Sequence, residues 1–189
     1  IITRYQAGYI SVKSEEIAHV KKVEFKNVLL STQFLLSIFA IFKQHEVSII
    51  KGRIAGIARG LGAIRLEYVA DEKVGTTLIQ ALRRIKNPEL TPEDVIRPQT
   101  TGFVTRQFVI RAHDRAGLVH DIIEYADAYG IDAEIVNFDF GRRTGRGEMR
   151  TMLLKLKLLP EAVREVTKAL TFVDDVTRVQ FQRPPCMFG

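Results

Sequence analysis

The chain carries one short pattern twice. Gly60-Leu61-Gly62-Ala63-Ile64-Arg65 recurs 85 positions on as Gly145-Arg146-Gly147-Glu148-Met149-Arg150. Each copy follows an apolar helical stretch and a strand-like run, and each is followed by a second strand and a second helix. Within 189 residues, a repeat of this period favours two small units side by side over one large domain.

The second copy reads most clearly. Gln107 to Arg111 alternates as a strand with Phe108 and Ile110 inward, and His113 to Gly117 breaks the pattern. From Leu118 a helix follows, with Leu118, Ile122, Tyr125, Ala126 and Tyr129 at core-facing spacing and Gly130 as its stop. Ile131 to Phe140 is strand-like, with Ile131, Ala133, Ile135 and Asn137 on one face. A basic, glycine-rich turn leads to a strand at Glu148 to Leu158. Pro160 suits the first turn of a helix through Leu170, and Val173 to Phe181 supplies a closing strand. The order is βαββαβ, the split-βαβ or ferredoxin-like arrangement.

The first copy has the same rhythm. Val20 to Phe25 is its strand, and Ser31 to His45 its helix, with Phe34, Leu35, Ile38, Phe39 and Phe42 inward. Val47 to Ile57 and Gly62 to Val69 are central strands, and Val74 to Ile85 is the second helix. A closing strand belongs near Thr91 to Ile96, where Pro92 and Pro98 make it poor or edge-only. Residues 1–18 lie outside the repeat; Ile10 and Val12 could add a strand, with no role assigned. The expected layout is an extension over 1–18, a first unit over 19–90, a linker over 91–104, a second unit over 105–183 and a tail over 184–189.

Composition narrows the classes. At 46% hydrophobic and 26% charged, the chain is neither disordered nor membrane-embedded. Leu29 to Phe42 is its longest greasy run, too short and too interrupted by Ser31, Thr32, Gln33 and Ser37 to span roughly 30 Å of hydrocarbon. A lone Cys186 permits no internal disulfide and fits a reducing cytoplasm. Residues 1–90 carry 14 Lys/Arg against 8 Asp/Glu, so the whole +6 net charge lies in the first half. Without a dense basic block interleaved with aromatics, solvated faces explain this excess better than a nucleic-acid surface.

One turn carries chemistry. Asp114-Arg115-Ala116-Gly117-Leu118-Val119 joins a strand to a helix. Free helix amides and the positive dipole end can hold a small carboxylate, and Asp114 can pair with an ammonium. Those are the needs of an α-amino acid. An Asp N-cap with a turn glycine is locally as good a reading. The segment resembles the ACT domain family, whose βαββαβ modules carry a D-R-x-G-[LIV]-[VL] turn after the first strand. Asp114, Arg115, Gly117, Leu118 and Val119 match it, and Ile131 to Val136 is similar to the family's second strand. Thr144 to Arg150 resembles the ACT portion of formyltetrahydrofolate deformylases, and the tandem layout is most similar to the glycine cleavage system transcriptional repressor group. The resemblance implies paired modules binding an amino acid between them, with homodimerisation. In the first copy the matching loop, Asn27 to Phe34, has neither the acid nor the glycine, which makes it a degenerate partner.

Other constellations weigh less. His113 and His120 flank the turn and invite a metal reading with Asp114 or Asp121, but a metal needs three or four converging ligands. Arg142, Arg143 and Arg146 read as a solvated hairpin loop before a phosphate site. Neither a phosphate-loop signature nor any named catalytic set occurs. The expectation is therefore an α+β protein of two ferredoxin-like (βαββαβ) ACT-type modules in tandem. It would be a cytoplasmic, non-enzymatic regulator sensing a small amino acid, with a homodimer and a regulated protein as partners. No cofactor, metal, catalytic residue, membrane contact or nucleic acid is expected. The ligand-binding residues would be Asp114, Arg115, Ala116, Gly117, Leu118, Val119 and, from the following strand, Asn137. The rival readings are the regulatory portion of a larger metabolic enzyme, or a nucleic-acid-binding protein using the basic first half.

Overall fold

The computed structural model describes residues 13–17, 20–58, 61–85, 102–130, 133–142 and 147–182. Their order is β1 (Lys13–Ile17), β2 (Val20–Leu29), α1 (Thr32–Gln44), β3 (Ile49–Ala58), β4 (Leu61–Tyr68) and α2 (Glu72–Arg83). There follow β5 (Val104–His113), α3 (Leu118–Tyr129), β6 (Glu134–Arg142), β7 (Met149–Leu158), α4 (Ala162–Thr171) and β8 (Val176–Gln182). The α+β class is as expected, with four helices and eight strands among the described residues.

Local sequence explains the elements. Ser31 accepts from the Phe34 amide at 3.2 Å and starts α1, whose Phe34, Leu35, Ile38, Phe39 and Phe42 are all buried as their spacing requires. Asp71 caps α2 through the Val74 amide at 2.8 Å. Strand β7 alternates strictly, with Arg150, Met152, Leu154, Leu156 and Leu158 inward. The helices pack side by side in the order α2–α1–α3–α4 over one face of the sheet.

All eight strands form one antiparallel sheet in the order β1-β2-β4-β3-β6-β7-β5-β8. The second half runs βαββαβ and lays its strands out as β6-β7-β5-β8, the split-βαβ order. In the first half β3-β4-β2 repeat this arrangement, and β1 takes the edge beside β2 that β8 takes beside β5. A segment with no role in sequence thus fills the closing strand's place. The closing strand expected at Thr91 to Ile96 lies outside the described residues, as do Ile10 and Val12.

The two halves meet at a seam between β3 and β6, where Arg53 faces Asp139, Ile54 faces Phe138 and Ala55 faces Asn137. Phe39 of α1 meets Phe140 of β6 edge to face across this seam, 5.6 Å between centroids. Gly52 is needed here for space, since a Cβ would run into the Phe140 ring and Leu66.

Two expectations are corrected. The inward face of β6 is Ile135, Phe138 and Phe140, because a register shift between Ile135 and Asn137 flips the alternation. Asn137 is therefore not in step with Ile135. Tyr129 stands 51% exposed at the end of α3 and stacks on Tyr125 instead of entering the core. The repeated motif also falls on opposite faces of the sheet. Arg65 points outward to Glu24 at 2.7 Å, whereas Arg150 points inward and is 2% exposed.

Candidate functional site

The Asp114–Val119 turn lies on the line where the halves pack. Strand β5 ends at His113, and the Asp114 amide still donates to the Glu148 carbonyl at 3.0 Å. Gly117 then takes φ +78°, the left-handed region that glycine reaches without penalty, and sits at the N-cap of α3. Asp114 is therefore not the helix cap.

Its carboxylate points inward instead. Asp114 Oδ1 accepts from Arg150 Nη1 at 2.8 Å, and both side chains are almost wholly buried. Arg150 Nη2 reaches into the other half, donating to the Ile49 carbonyl at 2.6 Å and the Ile50 carbonyl at 2.5 Å. One guanidinium thus ties the turn of the second half to the start of β3 in the first. Burying such a pair is costly, and these hydrogen bonds offset part of its desolvation.

A second cluster sits on the same line. Asp121 accepts from Lys43 Nζ of α1 at 2.7 Å, from Arg115 Nη2 at 2.8 Å and from His120 Nδ1 at 3.2 Å. Burial alone would raise the Asp121 pKa, but these three hydrogen bonds outweigh it and hold the carboxyl below the usual range. Arg115 also pairs through Nε with Asp175 at 2.8 Å, bonds the Asp174 carbonyl at 3.2 Å and donates to Ala116 O at 3.1 Å. It braces the turn against the loop before β8.

The gap ahead of α3 is closed. The Lys43 stem lies over Gly117, where a Cβ would come within 2.8 Å of Lys43 Cγ. What remains is a cavity of about 10 Å³, lined by Phe39, Phe42 and Ile49 from the first half and by Gly117, Leu118, Val119 and others from the second. This is room for about one water. Of the residues expected to bind ligand, Arg115, Gly117, Leu118 and Val119 line it. Asp114 stands behind Arg150. Ala116 does not line the cavity, nor does Asn137, which lies on the seam with its Oδ1 buried and unbonded among the described residues.

Sequence reasoning missed Lys43 and Arg150, and weighed Asp121 only as a metal ligand. Arg150 was visible as the last residue of the repeated pattern, but nothing in the linear order showed which face it occupied. His113 does not join His120: its Nδ1 meets the Gly147 carbonyl at 3.1 Å. His120, Asp121 and Glu124 do offer ligand atoms within 4.8 Å of one another. With Lys43 and Arg115 already on Asp121, the field there opposes a metal cation.

No protein-family model matches the chain, and no curated protein matches it in sequence. In three dimensions it is similar to aspartate kinase from Synechocystis, with a TM-score of 0.58 and 11% identity. That likeness covers 87% of this chain but only 29% of the kinase. At this identity it is a likeness of fold. The 6-hydroxy-D-nicotine oxidase of Arthrobacter nicotinovorans aligns at a TM-score of 0.37 with 12% identity, over 88% of this chain and 44% of the oxidase. An unknown protein from Galdieria sulphuraria aligns at 0.36 with 15% identity, over 86% of this chain and 94% of that one. Neither of these two carries an argument. Among the described residues no helix is long and apolar enough to cross a membrane.

Two variants test the electrostatics of the site. Arg150→Met should cost about 3–5 kcal/mol of unfolding free energy, because it strips a buried carboxylate of its guanidinium. Adding Asp114→Asn should recover part of that loss in urea titrations; a single-variant cost under about 1 kcal/mol would mean the pair holds nothing together. For Asp121 the folded pKa lies below the unfolded value of about 3.9. Its contribution is present above pH 4 and disappears as pH falls through the folded pKa. Asp121→Asn should therefore lower stability at pH 7 and flatten its acid dependence below about pH 4.

Proposed function

We propose that the chain is a regulatory protein of two ACT-type modules in tandem, which senses a small amino acid at the line where they meet. The observation that carries this reading is that the ACT-like turn, Asp114 to Val119, lies against residues of both halves around one small cavity. A ligand there touches both units at once, which is the geometry a sensor needs. The fold likeness to part of an aspartate kinase, a protein of amino-acid metabolism by its name, agrees with it.

The cavity as it stands is too small for an amino acid. Binding would require the Lys43 side chain, about half exposed, to leave Gly117 and open the amides of Leu118 and Val119 to a carboxylate. The ammonium of Lys43 would then be available to the same group. Moving Lys43 breaks its bond to Asp121, so ligand entry and packing of the halves are linked. A ligand acts as a switch only if it binds the opened arrangement better than the closed one. A regulatory role fits this arrangement better than a catalytic one, with a protein partner reading the change.

A thermal-shift screen of the twenty amino acids tests the proposal. A ligand at about 100 times its dissociation constant adds about 2.7 kcal/mol, a melting shift of about 5–10 °C at this chain length. The expected result is a shift with one or a few small neutral amino acids, with amide NMR changes centred on Gly117 to His120. No shift with any of them would overturn the reading and leave the turn as a structural joint.

A further inference from the structure

The sheet has a second face that no helix among the described residues covers. Over β2, β4, β3 and β6 it forms a concavity of about 550 Å³, within the ~300–1,000 Å³ range of small-molecule sites. Register shifts in β3 and between Lys51 and Arg53 on the β6 side fall at this point, where bulges increase twist and curve the sheet.

Its charges are unevenly matched. Arg65 is held by Glu24 at 2.7 Å, and Lys22 lies 3.8 Å from Glu67. Lys51 and Arg53, exposed on the central strand of the concavity, have no ion pair among the described residues. Arg53 also stands directly opposite Arg65 on β4, a like-charge cross-strand pair that weakens a sheet. On its other side Arg53 faces Asp139, whose Oδ1 accepts the Gly141 amide at 2.9 Å. Two unpaired cations two residues apart on one strand are separated by about 6–7 Å, with Asp139 beside Arg53 on β6 and Glu67 opposite Lys51 on β4. Among the described residues no aromatic side chain lines the concavity, so these offer nothing on which a nucleobase would stack.

We infer that this open-face concavity binds a small dicarboxylate of the acidic-amino-acid type, with Lys51 and Arg53 on its two carboxylates and Asp139 on its ammonium. This goes beyond the amino-acid-sensing reading: it assigns a second ligand class to a separate site, on the face opposite the Gly117 turn.

Calorimetric titration of the full chain with glutamate, aspartate, glutarate and glycine at low ionic strength tests it. Glutamate or aspartate should bind saturably, at least tenfold more weakly in Lys51→Gln and in Arg53→Gln. Asp139→Asn should weaken glutamate and leave glutarate, which lacks the ammonium, unchanged. These are exposed positions, and circular dichroism confirms that each variant is folded. Amide NMR changes should fall on β3 and β4. Absent binding of either acidic amino acid, or binding unchanged in both cation variants, overturns the inference. So does glutamate that perturbs only Gly117 to His120, a result that would instead support the turn as the sensor site.

Discussion

Edge strands β3 and β6 each complete the other's hydrogen bonding. A half-sheet ending at either one would present a row of unpaired amides and carbonyls, the standard invitation to aggregation or swapping. Antiparallel pairing across Arg53–Asp139, Ile54–Phe138 and Ala55–Asn137 removes both edges and makes one sheet of eight strands. The remaining inter-half contacts depend on that seam. It brings Phe39 onto Phe140, sets Arg150 within reach of the Ile49 and Ile50 carbonyls, and places Lys43 over Gly117.

The candidate site is therefore made by the pairing. Asp114 and Arg150 belong to one half, but their purpose is visible only when β3 of the other supplies its carbonyls. Asp121 likewise balances Lys43 from the first half against Arg115 from its own. Charges that in sequence read as ligand groups are used here to hold two packed units in register. A switch can be built on such a joint, because any ligand that displaces Lys43 must disturb it.

Much of the fold was legible in the chain. The α1 stripe from Phe34 to Phe42 has a spacing that only a one-sided helix explains, and all five residues are buried. The βαββαβ order of the second half followed from alternation and from glycine and proline punctuation. What was hidden depended on events between segments. A register shift in β6 exchanges Asn137 for Phe138 on the inward face, and no local pattern announces it. The identity of the repeated motif was misleading for the same reason: Arg65 and Arg150 match by letter, yet strand parity puts them on opposite faces. For the site, the turn was found, but its closure by a lysine 74 positions earlier was beyond any linear reading.

Native-state hydrogen exchange along β3 and β6 tests most directly that the halves are one cooperative unit. The amides of Ile54, Phe138 and their neighbours should exchange only with global unfolding, at the same free energy as those of β4 and β7. Exchange at a markedly lower free energy, as for fraying edge strands, would contradict it: the halves would then open independently, and no site that depends on their contact could be preformed.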